Sequence, residues 1–123
     1  MAYTELQAKV TKTAAFTGTT EVDVSGYTGN KDYTIRIHVH GLEAGKVANF
    51  EIQGTVNNFA AFTTVGHATV IGGGVSVPSD RIFRKNQMPG AALYAGVASG
   101  ELRLSLTSLT AGSNCTYEAV IET

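Results

Sequence analysis

His38 and His40 stand two positions apart in the run Tyr33-Thr34-Ile35-Arg36-Ile37-His38-Val39-His40, where apolar and polar residues alternate without a break. On a strand that spacing puts both imidazoles on one face, where two ring nitrogens could chelate a metal ion. A zinc site wants three or four ligands, and in this run neither an acidic residue nor a cysteine joins the two histidines on their face. His67 is the third and last histidine of the chain. We therefore read Arg36, His38 and His40 as an outer polar row and expect neither a metal nor a cofactor. Covered by a neighbouring subunit, such a row would make a pH-sensitive contact.

Other chemistry is equally sparse. Serines and threonines are abundant, yet no Gly-x-Ser-x-Gly elbow or base-and-acid grouping accompanies them, so no triad is assigned. Cys115 shares its face with Tyr117, Ala119 and Ile121, the setting of an inert buried thiol. The ten acidic residues are scattered, and no glycosidase pair stands out among them. Gly72-Gly73-Gly74 lacks the Gly-Lys-Ser/Thr ending of a phosphate loop and reads as a flexible loop. We expect no enzyme. A carbohydrate-binding sandwich is the alternative, but it usually presents an aromatic platform. There is no Trp, and Tyr33 and Tyr117 fall on core faces, leaving Tyr3, Tyr27 and Tyr94 as candidates.

The elements that would position these residues are strands. Alternation returns at Leu102-Arg103-Leu104-Ser105-Leu106 and at Cys115-Thr116-Tyr117-Glu118-Ala119-Val120-Ile121, with no long helical period between. The pattern predicts strands at 6–16, 20–25, 32–40, 47–53, 67–71, 91–94, 101–106 and 115–122. Turn chemistry separates them: Gly26-Tyr27-Thr28-Gly29-Asn30, a short hairpin at Glu43-Ala44-Gly45, and Ala111-Gly112-Ser113-Asn114 closing the last pair. Short strands at this spacing give an all-β, antiparallel two-sheet β-sandwich of jelly-roll or Ig-like kind, with a closed barrel as the alternative. Its core is expected to hold Ile35, Ile37, Val39, Phe50, Ile52, Leu102, Leu104, Leu106, Tyr117, Ala119 and Ile121. The stretch 55–62 and the basic insertion 78–90 fit no strand and read as loops, the second as one long irregular insertion.

Length and charge bound the partners. A chain of 123 residues suits one domain, 1–123, with no need of disulfide staples, and the single Cys115 could form no internal bridge. The start Met1-Ala2-Tyr3-Thr4-Glu5 has neither the basic beginning nor the apolar run of a signal peptide, and no apolar stretch approaches the about 18 residues of a membrane span. We expect a protein made in the cytoplasm, with no membrane partner. Nine Lys plus Arg against ten Asp plus Glu leave a formal net charge of −1, which disfavours nucleic acid. The charged fraction of 15% is well below the roughly 25% of an ordinary soluble domain, and such a surface suits lasting contact with another protein.

The chain resembles the head decoration, or cement, proteins among the small accessory structural proteins of tailed bacteriophages. The resemblance lies in its layout: an opening strand block, the alternation from Asp32 to Leu42, Phe50-Glu51-Ile52-Gln53-Gly54-Thr55-Val56, an irregular middle, and Gly100-Glu101-Leu102-Arg103-Leu104-Ser105-Leu106 before a final strand. It implies a virion component on the capsid surface, often a homotrimer at a symmetry axis, that binds the major capsid protein lattice and stabilises the shell against internal DNA pressure. It transfers no named binding residue. Contact candidates come instead from stretches least committed to the core: Tyr3 near the N-terminus, Asn57, Asn58, Phe59 and Phe62 in one loop, and Arg81, Arg84, Lys85 and Met88 in the other.

Overall fold

The alternation that places Ile35, Ile37 and Val39 on one side of a strand and Arg36 and His38 on the other needs an apolar layer on the first side only. In the computed structural model, which describes residues 3–28, 31–56, 61–88 and 100–123, a second sheet supplies that layer. Among these residues the strands are β1 Tyr3–Lys12, β2 Phe16–Thr17, β3 Val22–Asp23, β4 Thr34–Gly41, β5 Val47–Val56, β6 Thr63–Ile71, β7 Ser79–Arg84, β8 Gly100–Leu109 and β9 Cys115–Glu122. A 3-10 turn, Lys85–Gln87, follows β7. One sheet has the order β1-β9-β4-β7; the other has β2-β8-β5-β6, with β3 also paired to β8. These strands pair antiparallel throughout the described residues, so the protein is an all-β two-sheet sandwich.

The expected core residues all lie between the sheets, each at most 1% exposed. Leu6, Tyr33, Leu42, Ala48, Val65, Val70 and Met88 join them. Phe50 of β5 and Tyr117 of β9 meet edge to face across the gap, with ring centroids 5.0 Å apart. Such an aromatic pair adds about 0.5–1.5 kcal/mol beyond the area it buries.

Several boundaries differ from the sequence reading, each for a physical reason. The predicted first strand breaks after Lys12, and the chain crosses so that Phe16 pairs with Leu106 in the opposite sheet. Between 20 and 25 only Val22 and Asp23 are strand. β5 runs on through Thr55 and β6 begins at Thr63, because their partners on β8 and β5 continue the ladders there. The predicted strand at 91–94 lies outside the described residues. Two turns read as hairpins are sheet crossings: β4 and β5 lie in different sheets, as do β8 and β9. A tight turn with a left-handed glycine, Gly45 at φ 78° or Gly112 at φ 79°, has the same local chemistry in either case.

The irregular insertion contains β7, an edge strand on β4 that alternation did not reveal. Its inward residues Ser79, Arg81 and Phe83 are only half-buried and Ile82 points outward at 53% exposure, so neither face is wholly apolar. The triple glycine is tied down at both ends. Leu42 and Gly74 exchange backbone hydrogen bonds of 3.3 and 2.9 Å, Gly72 donates to the Lys46 carbonyl at 2.8 Å, and Gly45 donates to the Gly72 carbonyl at 3.0 Å. A side chain at Gly72 would collide with the Glu43 carbonyl, which is why the segment can pack there.

Candidate functional site

Sheet register makes a polar cluster on the outer face of the first sheet that sequence spacing alone conceals. β4 lies between β7 and β9, and His38 stands opposite Asp80 on one side and Glu118 on the other. His38 Nδ1 is 2.5 Å from Asp80 Oδ1, and His40 Nε2 is 2.6 Å from Glu118 Oε2. Arg36 donates through Nε to Glu122 Oε1 at 2.8 Å and reaches Asp80 Oδ2 through Nη1 at 3.4 Å. The hydrogen bond and charge of Glu122 hold the Arg36 guanidinium above its usual pKa, with Asp80 adding to the effect. The two imidazoles meet edge to face at 4.4 Å. The outer polar row is thus present, but the acidic partners absent from its own strand arrive from the two flanking ones. Among the described residues no group of three or more His, Cys, Asp or Glu is arranged to hold a metal ion.

A second cluster covers the outer face of the other sheet. Thr69 donates to Asn49 Oδ1 at 2.6 Å, and Asn49 donates to Ser108 Oγ at 2.7 Å. Further along, Thr64 and Gln53 both donate to Glu51 Oε1, at 2.7 and 3.1 Å, while Arg103 donates to Gln53 Oε1 at 2.9 Å. The Thr64 hydroxyl, followed by the Gln53 amide, holds the Glu51 carboxyl below its ordinary pKa. The Arg103 guanidinium lies over the Phe62 ring, 3.6 Å from its centroid. Hydroxyl, amide, carboxylate and guanidinium groups here already use one another as partners. The signal for this ladder was the alternation Asn49, Glu51, Gln53 on β5, opposite the core residues Phe50 and Ile52.

The contact candidates separate. Cross-strand register aligns Tyr3, Glu122, Thr34 and Arg84 in one row at the end of the first sheet. Tyr3 is 63% exposed and Arg84 is exposed. A cleft of about 200 Å³ opens beside this row, lined by Asp32, Tyr33, Thr34, Glu122 and Thr123. Lys85 lies at the same end, where its ammonium bonds the carbonyls of Tyr27 and Lys31 and so ties these two residues to the 3-10 turn. Phe62 lies beside the ladder under Arg103.

Arg81 stands apart, in mid-strand opposite Ile37, and donates to the Thr69 carbonyl at 3.2 Å, which ties the edge strand β7 to the edge strand β6. Met88 is 4% exposed and packs within the core, its sulfur 3.5 Å from where a Cβ on Gly66 would sit. Asn57, Asn58 and Phe59 lie outside the described residues.

Cys115 is fully buried, and loss of solvation pushes its thiol up to about 11. That environment disfavours the thiolate a nucleophile needs. Among the described residues no helix is long and apolar enough to cross a membrane. The architecture thus defines the class as an antiparallel two-sheet β-sandwich with polar outer faces. No known family model matches the chain, and no curated protein matches it.

Proposed function

We propose that the protein is a non-enzymatic virion structural protein, a decoration protein that binds the assembled phage head as a homotrimer and stabilises it. The resemblance of its layout to the head decoration proteins of tailed bacteriophages supports this reading. The observation that best supports a binding role is the gathering of Tyr3, Arg84, Lys85 and an open cleft at one end of a low-charge sandwich. Side chains carried on a rigid scaffold are well suited to contact, because little order has to be imposed on binding. A site made from several shell subunits exists only after assembly, and occupying it opposes their separation.

The test mixes purified protein with undecorated expanded shells and, separately, with unassembled shell subunits. Sedimentation should show binding to shells alone, and decorated shells should resist heating better. Equal binding to free subunits, or monomeric protein that ignores shells, would overturn the proposal.

The polar ladder of Asn49, Glu51, Gln53 and Arg103 favours a second reading, a carbohydrate-binding module of a phage tail or cell surface. A sugar would have to exchange the mutual hydrogen bonds of these amide and carboxylate groups for bonds to its own hydroxyls. A glycan array should then give a signal that Gln53→Ala abolishes; shell binding with a blank array rejects this reading.

A further inference from the structure

We propose that His38 and His40 form an open two-imidazole site for a divalent transition-metal ion, Cu²⁺ in preference to Ni²⁺ or Zn²⁺, on the outer face of the first sheet. The first support is the pair of carboxylates behind the rings. A carboxylate only accepts, so in each neutral ring the nitrogen facing it, His38 Nδ1 or His40 Nε2, carries the proton. The lone pairs are then on His38 Nε2 and His40 Nδ1. This is the carboxylate–histidine arrangement that fixes the tautomer of metal-ligating imidazoles and raises their basicity.

The second support is geometric. Both histidines belong to a strand held between two neighbours, and Asp80 and Glu118 grip them from opposite sides. Two imidazoles that share one ion at about 2.0–2.1 Å per nitrogen hold their ring centroids about 4.5–5 Å apart. The observed separation is 4.4 Å. Imidazole nitrogen suits Cu²⁺, Ni²⁺ and Zn²⁺ alike, and Cu²⁺ binds nitrogen ligands most tightly of these ions.

Charge and access agree. Asp80, Glu118 and Glu122 carry three negative charges against the one positive charge of Arg36, leaving a net −2 beside the two rings. Their imidazoles are 32% and 33% exposed, so an ion can reach them from solvent. With two protein ligands the remaining coordination positions fall to water, and folding does not depend on the ion. Hard, oxygen-seeking Mg²⁺ and Ca²⁺ are excluded.

The test uses the whole protein, titrated at neutral pH with Cu²⁺ alone. Calorimetry should show one ion per chain, and the electron paramagnetic resonance spectrum should show two nitrogen ligands. His38→Gln or His40→Gln should weaken binding at least tenfold, and Asp80→Asn about tenfold through its histidine. His67→Gln, on the opposite sheet, should change nothing. Circular dichroism checks that each variant is folded, which half-exposed positions permit. Millimolar Ni²⁺ should raise the melting temperature by a few degrees, while EDTA leaves that of the metal-free protein unchanged. Binding that persists in the His38→Gln/His40→Gln double variant, a spectrum with fewer than two nitrogens, or tighter binding of Zn²⁺ than Cu²⁺ would overturn the site.

Discussion

Ile37 is fully buried at the middle of β4, so an aspartate there has to carry its charge into the core or take up a proton. Either costs several kcal/mol, a large share of the roughly 5–15 kcal/mol that holds a domain folded. Ile37→Asp should therefore yield no soluble folded protein on expression, whereas Ile82→Asp, at an outward position of β7, should fold. Cys115 and Tyr117 make a second residue-scale prediction. Burial raises the thiol from 9.0 to about 11 and the phenol from 10.0 to about 12. The native state keeps these protons after the unfolded chain has released them, so stability falls as pH rises above 9, by roughly 1.4 kcal/mol per unit for each titrating group. Below pH 9 neither group contributes. Urea midpoints measured at pH 7, 9 and 10.5 should show the decline, and Cys115→Ala should flatten it between 9 and 10.5. Parallel declines in the variant and the parent would mean that other groups cause it.

At the scale of elements, the crossing segments are as constrained as the strands. A Cβ on Gly41 would collide with the backbone carbonyl of Val75, and a backbone cannot swing aside as a flexible side chain can. Gly41→Ala should lower stability by about 1–3 kcal/mol, the usual cost of forcing atoms into a packed site. Gly26→Ala is the control: nothing lies within 4 Å of its Cβ, so it should be neutral or stabilising by roughly 0.4–1 kcal/mol. Denaturant midpoints separate the two. Edge strands are treated differently. β1 carries two register shifts against β9, and Arg81 occupies the Thr69 carbonyl of β6. Bulges and charged side chains of this kind discourage strand addition by another chain.

At the scale of the molecule, the proposed function requires surface chemistry at one end and tolerance elsewhere. Tyr3→Ala and Arg84→Ala change exposed side chains and should leave the melting temperature within about 2 °C of the parent, as surface substitutions usually do. Co-sedimentation with expanded shells should nevertheless weaken about tenfold for the pair. Thr107→Ala, on the exposed part of β8, should not weaken it. If the ranking is reversed, the bound surface is the outer face of the second sheet.

Period-two alternation alone determined which side of β4, β8 and β9 meets the core, because one shift of register would expose the whole apolar set. It served Ile35 to Val39, Leu102 to Leu106 and Tyr117 to Ile121 well, and it failed at β7, where an edge position tolerates Arg81 facing inward and Ile82 facing out. Turn residues reported that the chain reverses at Gly45 and Gly112, but reversal within a sheet and crossing between sheets use the same local backbone. Only tertiary packing chose between them. The same holds for the polar cluster: the equal spacing of Arg36, His38 and His40 was legible. Pairing with Asp80, 42 residues from His38, and Glu118, 78 residues from His40, depended on strand register, which no local pattern encodes.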